Sequence, residues 1–345
     1  MSEARIYDVD IGKDPDDTCV AAMLARQPAR FRPTLVLTND ETPSLARARF
    51  LADMLGASAR GHIAAGLPTP RRVRDCLVER AGIVETAPGD IASDGVLQLL
   101  RALDGHDTTR YFSLGALTNL AAALALRPDL APRVRLAQMG PALASAYHRP
   151  SPQYNARIDP VSFSTVLGLV PHPALLLAHV TWARFGGAAG GRLELGVYPD
   201  DPLGRALLSA EHPTLRRFGR HLAAWVESGF ACSIMHDPLT VLGQLEDGLV
   251  AWESVEIWIG DDGFADRERR EGPGRMIHAR VARTVDYAAA RLAICAALLD
   301  GSPSDASSLA RAWGVHNAAR PDPEAAHTSA KRLALRDQRI CAADD

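Results

Sequence analysis

Short apolar runs alternate with amphipathic helical patterns along most of the chain. Apolar runs typical of buried strands lie at residues 6–10, 33–38, 110–114, 134–139 and 174–180, with two more at 255–259 and 276–281. Between them, apolar residues recur at helical spacing, as in 44–55, where Gly56 ends the pattern. This alternation predicts an α/β fold with an open, mainly parallel central sheet and helices on both faces. We expect one domain over residues 1–300 and a polar C-terminal tail, 301–345, without an assigned structure.

Clusters of polar residues follow several of the predicted strands directly. They are 8–17, Thr38-Asn39, Thr118-Asn119 and Met139-Gly140. Ligands of open α/β sheets bind beyond the carboxyl ends of the strands. The pattern therefore predicts one functional site at one edge of the sheet.

The first of these clusters is unusually acidic. Asp8, Asp10, Asp14, Asp16 and Asp17 fall within ten residues, between a strand and a helix predicted to begin near Asp16. Acidic residues are common at helix N-termini, but that accounts for only one or two of them. Two carboxylates about 4 Å apart repel each other by roughly 1–4 kcal/mol, depending on the local dielectric. The cluster therefore indicates a site for a hard cation such as Ca²⁺ or Mg²⁺, which prefers oxygen ligands.

Three further stretches place polar side chains at predicted helix starts. They are 115–119, 153–160 and His236-Asp237-Pro238. Each has an ordinary structural interpretation, since Asp159 before Pro160 is typical of a helix N-cap and a lone histidine is more often structural than catalytic. The N-cap interpretation of Asp159 does not explain Gln153 and Asn155.

Charge, cysteine content and the length of apolar runs limit the partners and the cellular location that we expect. The net charge is −3 and the isoelectric point near 6.4, so nucleic acid and anionic membranes are not the expected partners. The five cysteines show no zinc-like spacing and fit a reducing compartment. No apolar run approaches the roughly 18 residues of a membrane span, and the strand near the N-terminus leaves no room for a signal peptide. We expect a cytoplasmic protein.

Taken together, these stretches resemble the nucleoside hydrolase family of the inosine–uridine-preferring type. The opening cluster is similar to the longer form of the family pattern D-x-D-x-G-x-D-D-A, with two extra residues before the paired aspartates. Residues 117–120 match its L-T-N-L/I segment, 154–160 are similar to its F-N and D-P stretch, and 236–238 match its H-D-P. The order agrees over about residues 6–300, which implies the Rossmann-like fold of that family.

The resemblance also implies a reaction, namely hydrolysis of the N-glycosidic bond of a nucleoside to free base and ribose. Asp10, Asp17, Asp237 and the backbone carbonyl of Thr118 would hold Ca²⁺, with Asp8 in support. Asp10 would activate a metal-bound water. The ribose hydroxyls would be held by Asp16, Asn39, Gln153 and Asn155. His236 would protonate or hydrogen-bond the leaving base, and the protein would be a homodimer or homotetramer.

The chain departs from the family pattern in several places. Gln153 stands where the family has Glu, Thr18 replaces Ala, and Gly140-Pro141 replaces Gly-Gly. Residues 71–90 lack the H-G-x-D/S-G loop that borders the base, which leaves the base specificity open. Asn39 is placed by nearby resemblance, and a shift of one residue would put Thr38 or Asp40 in its role.

Two other functions remain open at this stage. The first is a haloacid-dehalogenase-type Mg²⁺ phosphohydrolase, with Asp8 as nucleophile, Asp10 as acid/base and 260–266 as its late acidic motif. The second is a non-catalytic, nucleoside-binding member of the nucleoside hydrolase family, which Gln153 and the missing base loop would fit.

Overall fold

The computed structural model describes residues 2–71, 76–87, 89, 91–147, 151–185, 191–299 and 303–321. Its strands are β1 (Glu3–Val9), β2 (Leu35–Thr38), β3 (Ile63–Ala64), β4 (Thr108–Ser113), β5 (Val134–Met139), β6 (Ala174–Leu176), β7 (Gly196–Val197), β8 (Ser233–Ile234), β9 (Val250–Gly260), β10 (Ala265–Asp266) and β11 (Gly274–Val285).

The first half of the chain, up to the end of β6, carries the helices α1 (Asp16–Arg26), α2 (Pro28–Phe31), α3 (Ala46–Leu55), α4 (Leu77–Arg80), α5 (Gly95–Asp104), α6 (Thr118–Leu126), α7 (Ala144–Tyr147), α8 (Tyr154–Ile158) and α9 (Pro160–Leu169). The second half carries α10 (Ala178–Thr181), α11 (Pro202–Leu208), α12 (Pro213–Glu227), α13 (His236–Leu245), α14 (Tyr287–Leu298) and α15 (Pro303–Ala319). Within the described part of the chain, 3₁₀ helices span Ala57–His62 and Pro128–Arg133.

Within the described residues, nine of the strands form one sheet in the order β10-β9-β11-β6-β5-β4-β1-β2-β3. The pairs from β11 through to β3 are parallel, whereas β9 runs antiparallel to both β11 and β10. β7 and β8 form a separate antiparallel pair. The predicted open, mainly parallel sheet is thereby confirmed.

Helices cover both faces of the sheet, as predicted. On one face α1, α3 and α12–α14 pack into a large apolar cluster that includes Tyr7 and Val9 of β1. On the other face α5, α6 and α9 pack around a second cluster that includes Ile6. Because side chains alternate along a strand, Asp8 points to the same face as Ile6, toward α6. Both faces of β1 are therefore apolar, and Asp8 lies at the carboxyl end of the face that also carries Ile6.

The structure differs from the sequence interpretation at two places after β5. The strand predicted over 174–180 ends at Leu176, and the chain continues as the short helix α10. Residues 303–319, for which the sequence assigned no structure, form α15. Trp313 of α15 is fully buried and donates its indole N–H to the Gly196 carbonyl at 2.9 Å. The rest of the predicted tail, 322–345, lies outside the described residues.

None of the helices in the described part of the chain is both long enough and apolar enough to cross a membrane.

Candidate active site

The loop between β1 and α1 brings the acidic cluster to the carboxyl edge of the sheet. Gly12 sits in this loop with a φ of 111°, a conformation that favours glycine. A Cβ atom there would also lie only 3.0 Å from Val78 Cγ2 and 3.1 Å from Cys76 Sγ. The turn at Gly12 thus lets α1 begin directly with Asp16 and Asp17, as predicted.

Three carboxylates from two helices converge at this edge. Oxygens of Asp16, Asp17 and Asp237 all lie within 4.8 Å of one another, and all three residues are buried. Burial raises the pKa of each of them well above its ordinary value, and the neighbouring carboxylates raise it further.

The donor atoms of this cluster fit a hard cation. Oδ1 of Asp17 is buried and has no hydrogen-bond partner among the described residues. A buried carboxylate oxygen without a donor is costly unless a cation or a proton neutralises it. Since the cluster offers oxygen atoms only, its chemistry suits Ca²⁺ or Mg²⁺ rather than a softer metal.

Asp10 lies beside these three residues and within hydrogen-bonding reach of Asp17. The absence of a side chain at Gly115 allows this position, because a Cβ there would lie 3.0 Å from Cβ of Asp10. The backbone after Asp10 is held by Arg47 of α3, a buried guanidinium that donates to the carbonyls of Asp10 and of Ile11, the latter at 2.7 Å. Sequence reasoning missed Arg47, since it lies inside an otherwise ordinary helical pattern.

Asp8 is fully buried behind the cluster and held by three side chains. Its carboxylate accepts hydrogen bonds from Tyr111 Oη at 2.5 Å, Asn119 Nδ2 at 2.9 Å and Asn39 Nδ2 at 3.4 Å. Burial raises the pKa of Asp8 to about 7, although these hydrogen bonds lower it. Both carboxylate oxygens of Asp8 are thus occupied by hydrogen bonds, and its predicted role in support of the metal site stays a prediction.

Asn39, which the sequence assigned to the ribose, follows β2 directly and lies next to Asp8. Its Nδ2 donates to the Ala116 carbonyl, while its Oδ1 is buried without a partner among the described residues. The two alternatives for this role have other contacts. Asp40 binds Arg47 and Thr69, and Thr38 donates to Glu41 at 2.6 Å. Of the three, Asn39 is the one that leaves a buried acceptor beside the cluster.

Gln153 and Asn155 lie at the start of α8 and reach the ends of β4 and β5. Gln153 Oε1 caps α8 by accepting from the Asn155 backbone N–H at 3.0 Å. Asn155 Nδ2 donates to the carbonyls of Leu114 and Met139 at 2.7 and 3.3 Å. The Asn155 amide is thus fixed on the backbone, whereas Gln153 Nε2 donates to Met139 Sδ at 3.8 Å. The roles of both residues toward ribose stay predictions.

Thr118 begins α6, and its side chain binds Asp159. Thr118 Oγ1 donates to Asp159 Oδ2 at 2.6 Å, while Asp159 Oδ1 accepts from the Ser162 backbone N–H at 3.1 Å. The interpretation of Asp159 as an N-cap before Pro160 is confirmed. The part of the Thr118 carbonyl as a metal ligand stays a prediction.

His236 opens α13 immediately before Asp237. Its Nδ1 lies 2.5 Å from Thr181 Oγ1, and the Thr181 hydroxyl donates its single proton to the Ala178 carbonyl at 2.8 Å. Nδ1 must therefore be the protonated nitrogen of this pair. Burial lowers the pKa of His236 to about 3, so the ring is neutral and Nε2 is left as an acceptor. The Trp182 ring lies 6.1 Å from the imidazole. Sequence reasoning missed Thr181 and Trp182, which lay in or next to the strand predicted there.

The protein is thus an α/β protein with a mainly parallel sheet and, at the carboxyl edge of that sheet, a cluster of carboxylates that could hold a hard cation. The chain belongs to the inosine-uridine preferring nucleoside hydrolase family, whose profile matches residues 5–291. The predicted family and enzyme class, a hydrolase acting on N-glycosyl bonds, are thereby confirmed. A search of curated protein sequences found no match.

Solved structures with the same fold include nucleoside hydrolases from distant sources. A plant nucleoside hydrolase, PpNRh1, is 15% identical with a TM-score of 0.65, covering 86% of this chain and 99% of its own. The inosine-uridine preferring enzyme of Bacillus anthracis is 18% identical with a TM-score of 0.61 and the same coverage. The purine-preferring ribonucleoside hydrolase of Gardnerella vaginalis is 18% identical with a TM-score of 0.63, covering 90% and 99%. These likenesses concern the fold.

The phosphohydrolase alternative does not fit the site. It requires Asp8 as an accessible nucleophile, but Asp8 is fully buried and hydrogen-bonded on both oxygens. Its late acidic motif, 260–266, lies in the β9–β10 hairpin at the edge of the sheet, where Asp261 and Asp262 are exposed.

Proposed function

We propose that this protein carries out Ca²⁺-dependent hydrolysis of the N-glycosidic bond of a ribonucleoside or related N-riboside, giving free base and ribose. The observation that carries this proposal is the convergence of Asp16, Asp17 and Asp237 in a chain of this family, where a buried Asp17 oxygen has no hydrogen-bond partner among the described residues. Burial of several carboxylates together is unfavourable without a cation, so their arrangement is explained by a function rather than by stability.

Asp10, Asp17, Asp237 and the Thr118 carbonyl would hold the ion, with Asp16 close enough to take part. Bound there, Ca²⁺ would lower the pKa of a coordinated water and so make it a better nucleophile. Calcium rather than magnesium is proposed because a mixed set of carboxylate, carbonyl and water oxygens suits its irregular coordination.

Asp10 would act as the general base that takes the proton of the attacking water. It is less buried than its three neighbours, and its backbone is fixed by Arg47 while Gly115 leaves room for its side chain. Such positioning is required of a general base, which must lie within hydrogen-bonding distance of the water. The C–N bond would break through an oxocarbenium-like state of the sugar while the water oxygen bonds to the anomeric carbon, and the departing base would take up a proton from solvent.

The ribose would be held by Asp16, Asn39, Gln153 and Asn155. Asn39 Oδ1 and the Asp16 carboxylate offer acceptors to hydroxyl groups, next to the ion. Gln153 replaces a carboxylate of the family, so one ribose contact is neutral here. These contacts orient the sugar for attack.

His236 would contact the leaving base. Because its ring is neutral and Nδ1 donates to Thr181, Nε2 would accept a hydrogen bond from the base rather than protonate it. The structure thus favours the hydrogen-bonding alternative for His236 over the general-acid one.

A panel of purine and pyrimidine nucleosides, assayed for free base and reducing sugar with Ca²⁺ or with a chelator, tests the proposal. We expect hydrolysis of at least one nucleoside, lost with the chelator and reduced at least 100-fold in Asp10→Asn. Asp261→Asn is the matched control. It removes an exposed aspartate that is not part of the carboxylate cluster, so it should retain full activity.

The second candidate is a non-catalytic member that binds nucleosides without hydrolysing them, and Gln153 favours it because the family has a carboxylate there. Binding of a nucleoside by calorimetry without release of base would decide for this candidate. Restoration of turnover by Gln153→Glu would show that the single neutral contact is responsible.

Two further expectations concern the protein as a whole. We expect a homodimer or homotetramer in the cytoplasm, with a small nucleoside as the only partner besides its own copies. The mass in solution, measured by light scattering, tests the first part, and a tagged full-length chain followed in cells tests the second.

A further inference from the structure

A buried histidine joins α12 to the acidic loop. Nδ1 of His221 lies 2.8 Å from Thr18 Oγ1, and its Nε2 lies 3.1 Å from the Lys13 backbone carbonyl. His221 is fully buried, and Phe50 packs edge-on against its ring. The imidazole therefore bridges the two ends of the segment that carries Asp14, Asp16 and Asp17.

The direction of both hydrogen bonds follows from the atoms involved. A carbonyl oxygen only accepts, so Nε2 donates to Lys13. Burial lowers the pKa of His221 to about 3, which leaves the ring neutral with a single N–H. Nδ1 must then accept the hydroxyl proton of Thr18. Both ring nitrogens thus take part in the bridge, Nε2 as the donor to the Lys13 carbonyl and Nδ1 as the acceptor from the Thr18 hydroxyl.

A second contact holds the same loop from another part of the chain. Ser233 Oγ of β8 donates to the Asp14 carboxylate. Asp14 belongs to the two residues that lengthen this loop relative to the family pattern, and Lys13 directly precedes them, so contacts hold the loop both before and within the extension. The ammonium group of Lys13 lies 5.5 Å from the Tyr154 ring centre, next to Gln153 and Asn155.

Thr18 is itself a departure from the family pattern, which has Ala at this position. An alanine would offer no proton to Nδ1 and would leave a buried acceptor unpaired. The extended loop, Thr18 and His221 are therefore explained together by one set of contacts.

We infer that His221 is a positioning residue, which sets the affinity of the aspartate cluster for its cation by holding the 12–18 loop through Thr18 and the Lys13 carbonyl. This inference rests on the proposed metal site. It goes beyond that site because neither His221 nor Thr18 is one of the proposed metal ligands. Asp16 and Asp17 directly precede Thr18, so any rotation of this turn displaces their carboxylates. Partners that orient metal ligands in this way typically change metal affinity about 10- to 100-fold when removed.

Calcium binding to the full chain, measured by titration calorimetry without substrate, tests the inference. We expect Thr18→Ala and His221→Asn each to weaken binding about tenfold or more. Thr18→Ser keeps the hydroxyl and should bind like wild type. The double variant should be no weaker than His221→Asn alone, since both changes break the same bridge.

Thr214→Val provides the matched control. Thr214 lies on α12 as well, is buried, and donates to the Met54 carbonyl at 3.2 Å, away from the loop. This variant should lower the melting temperature but leave calcium affinity unchanged. An equal loss of affinity in Thr214→Val, or unchanged affinity in folded Thr18→Ala, would overturn the inference.

The result is separable from that of the hydrolase proposal. If wild type binds Ca²⁺ but hydrolyses no nucleoside, the hydrolase proposal is wrong. The calcium affinities of Thr18→Ala and Thr18→Ser would still decide the role of the bridge. If His221→Asn does not fold, the comparison of Thr18→Ala with Thr18→Ser decides it alone. Absence of calcium binding by wild type would overturn the inference together with the calcium dependence.

Discussion

At the scale of single residues, His236 separates two mechanisms for the departure of the base. A general acid contributes about 10²–10⁴-fold to the rate, whereas one hydrogen bond of about 0.5–1.5 kcal/mol corresponds to roughly 2- to 13-fold. Since the neutral ring donates through Nδ1 to Thr181, we expect His236→Ala to lower kcat/KM by no more than about 20-fold. Steady-state kinetics on the best nucleoside measure this. A loss above 100-fold would mean that Nε2 donates a proton after all.

Gly115 is a second residue for which the effect of a substitution on the rate can be predicted, here from interatomic distances. An added Cβ would lie 3.0 Å from Cβ of Asp10 and 3.3 Å from Cβ of Asn39, so one of them must move. Small displacements of a catalytic group can cost up to about 100-fold in rate. We expect Gly115→Ala to lower kcat at least tenfold. Gly61→Ala, where an added Cβ meets no atom within 4 Å, is the control and should be neutral.

At the scale of elements, the sequence predicts what depends on neighbouring positions. The strand before Asp10, the turn at Gly12 and the helix from Asp16 all have local signals and are confirmed. The residues that hold this loop have no such signal. Arg47 and His221 lie 36 and 208 positions along the chain from the loop residues that they contact, and only the folded sheet brings them to the loop. Polar residues buried for such support look like ordinary interruptions of an amphipathic pattern.

The same reasoning applies to α15, whose packing on α14 the sequence did not reveal. Trp313 is fully buried and hydrogen-bonded to Gly196, in the segment that leads to α11. We expect Trp313→Ala to lower the free energy of unfolding by about 3–5 kcal/mol, as measured in urea. Val315 on the same helix is 70% exposed, and Val315→Ala should change it by less than about 0.5 kcal/mol. Similar values for the two variants would mean that α15 contributes little to stability.

At the scale of the whole molecule, the three converging carboxylates oppose the stability of the fold when they are ionised and no cation neutralises them. Ligand binding at 100 times its dissociation constant stabilises a protein by about 2.7 kcal/mol. We therefore expect saturating Ca²⁺ to raise the melting temperature of wild type by several degrees. Asp237→Asn, which removes one of the three converging carboxylates, should reduce this shift strongly. An unchanged shift in that variant would place the ion elsewhere.

The pH dependence of the metal-free protein follows in part from two other carboxylates of the acidic segment 8–17, Asp8 and Asp14. Burial raises the pKa of Asp8 and of Asp14 to about 7 from an ordinary value of 3.8. The folded state therefore binds these protons more tightly than the unfolded chain does, so the stability they contribute is complete below about pH 4 and is lost as the pH rises through 7. In a chelator we expect the contribution of these groups to lower the melting temperature between pH 5 and 8. With saturating Ca²⁺ the decline should be smaller, because the cation favours the ionised cluster. Melting curves at matched ionic strength measure both slopes, and equal slopes with and without the ion would show that cation binding is not coupled to the ionisation of the buried aspartates.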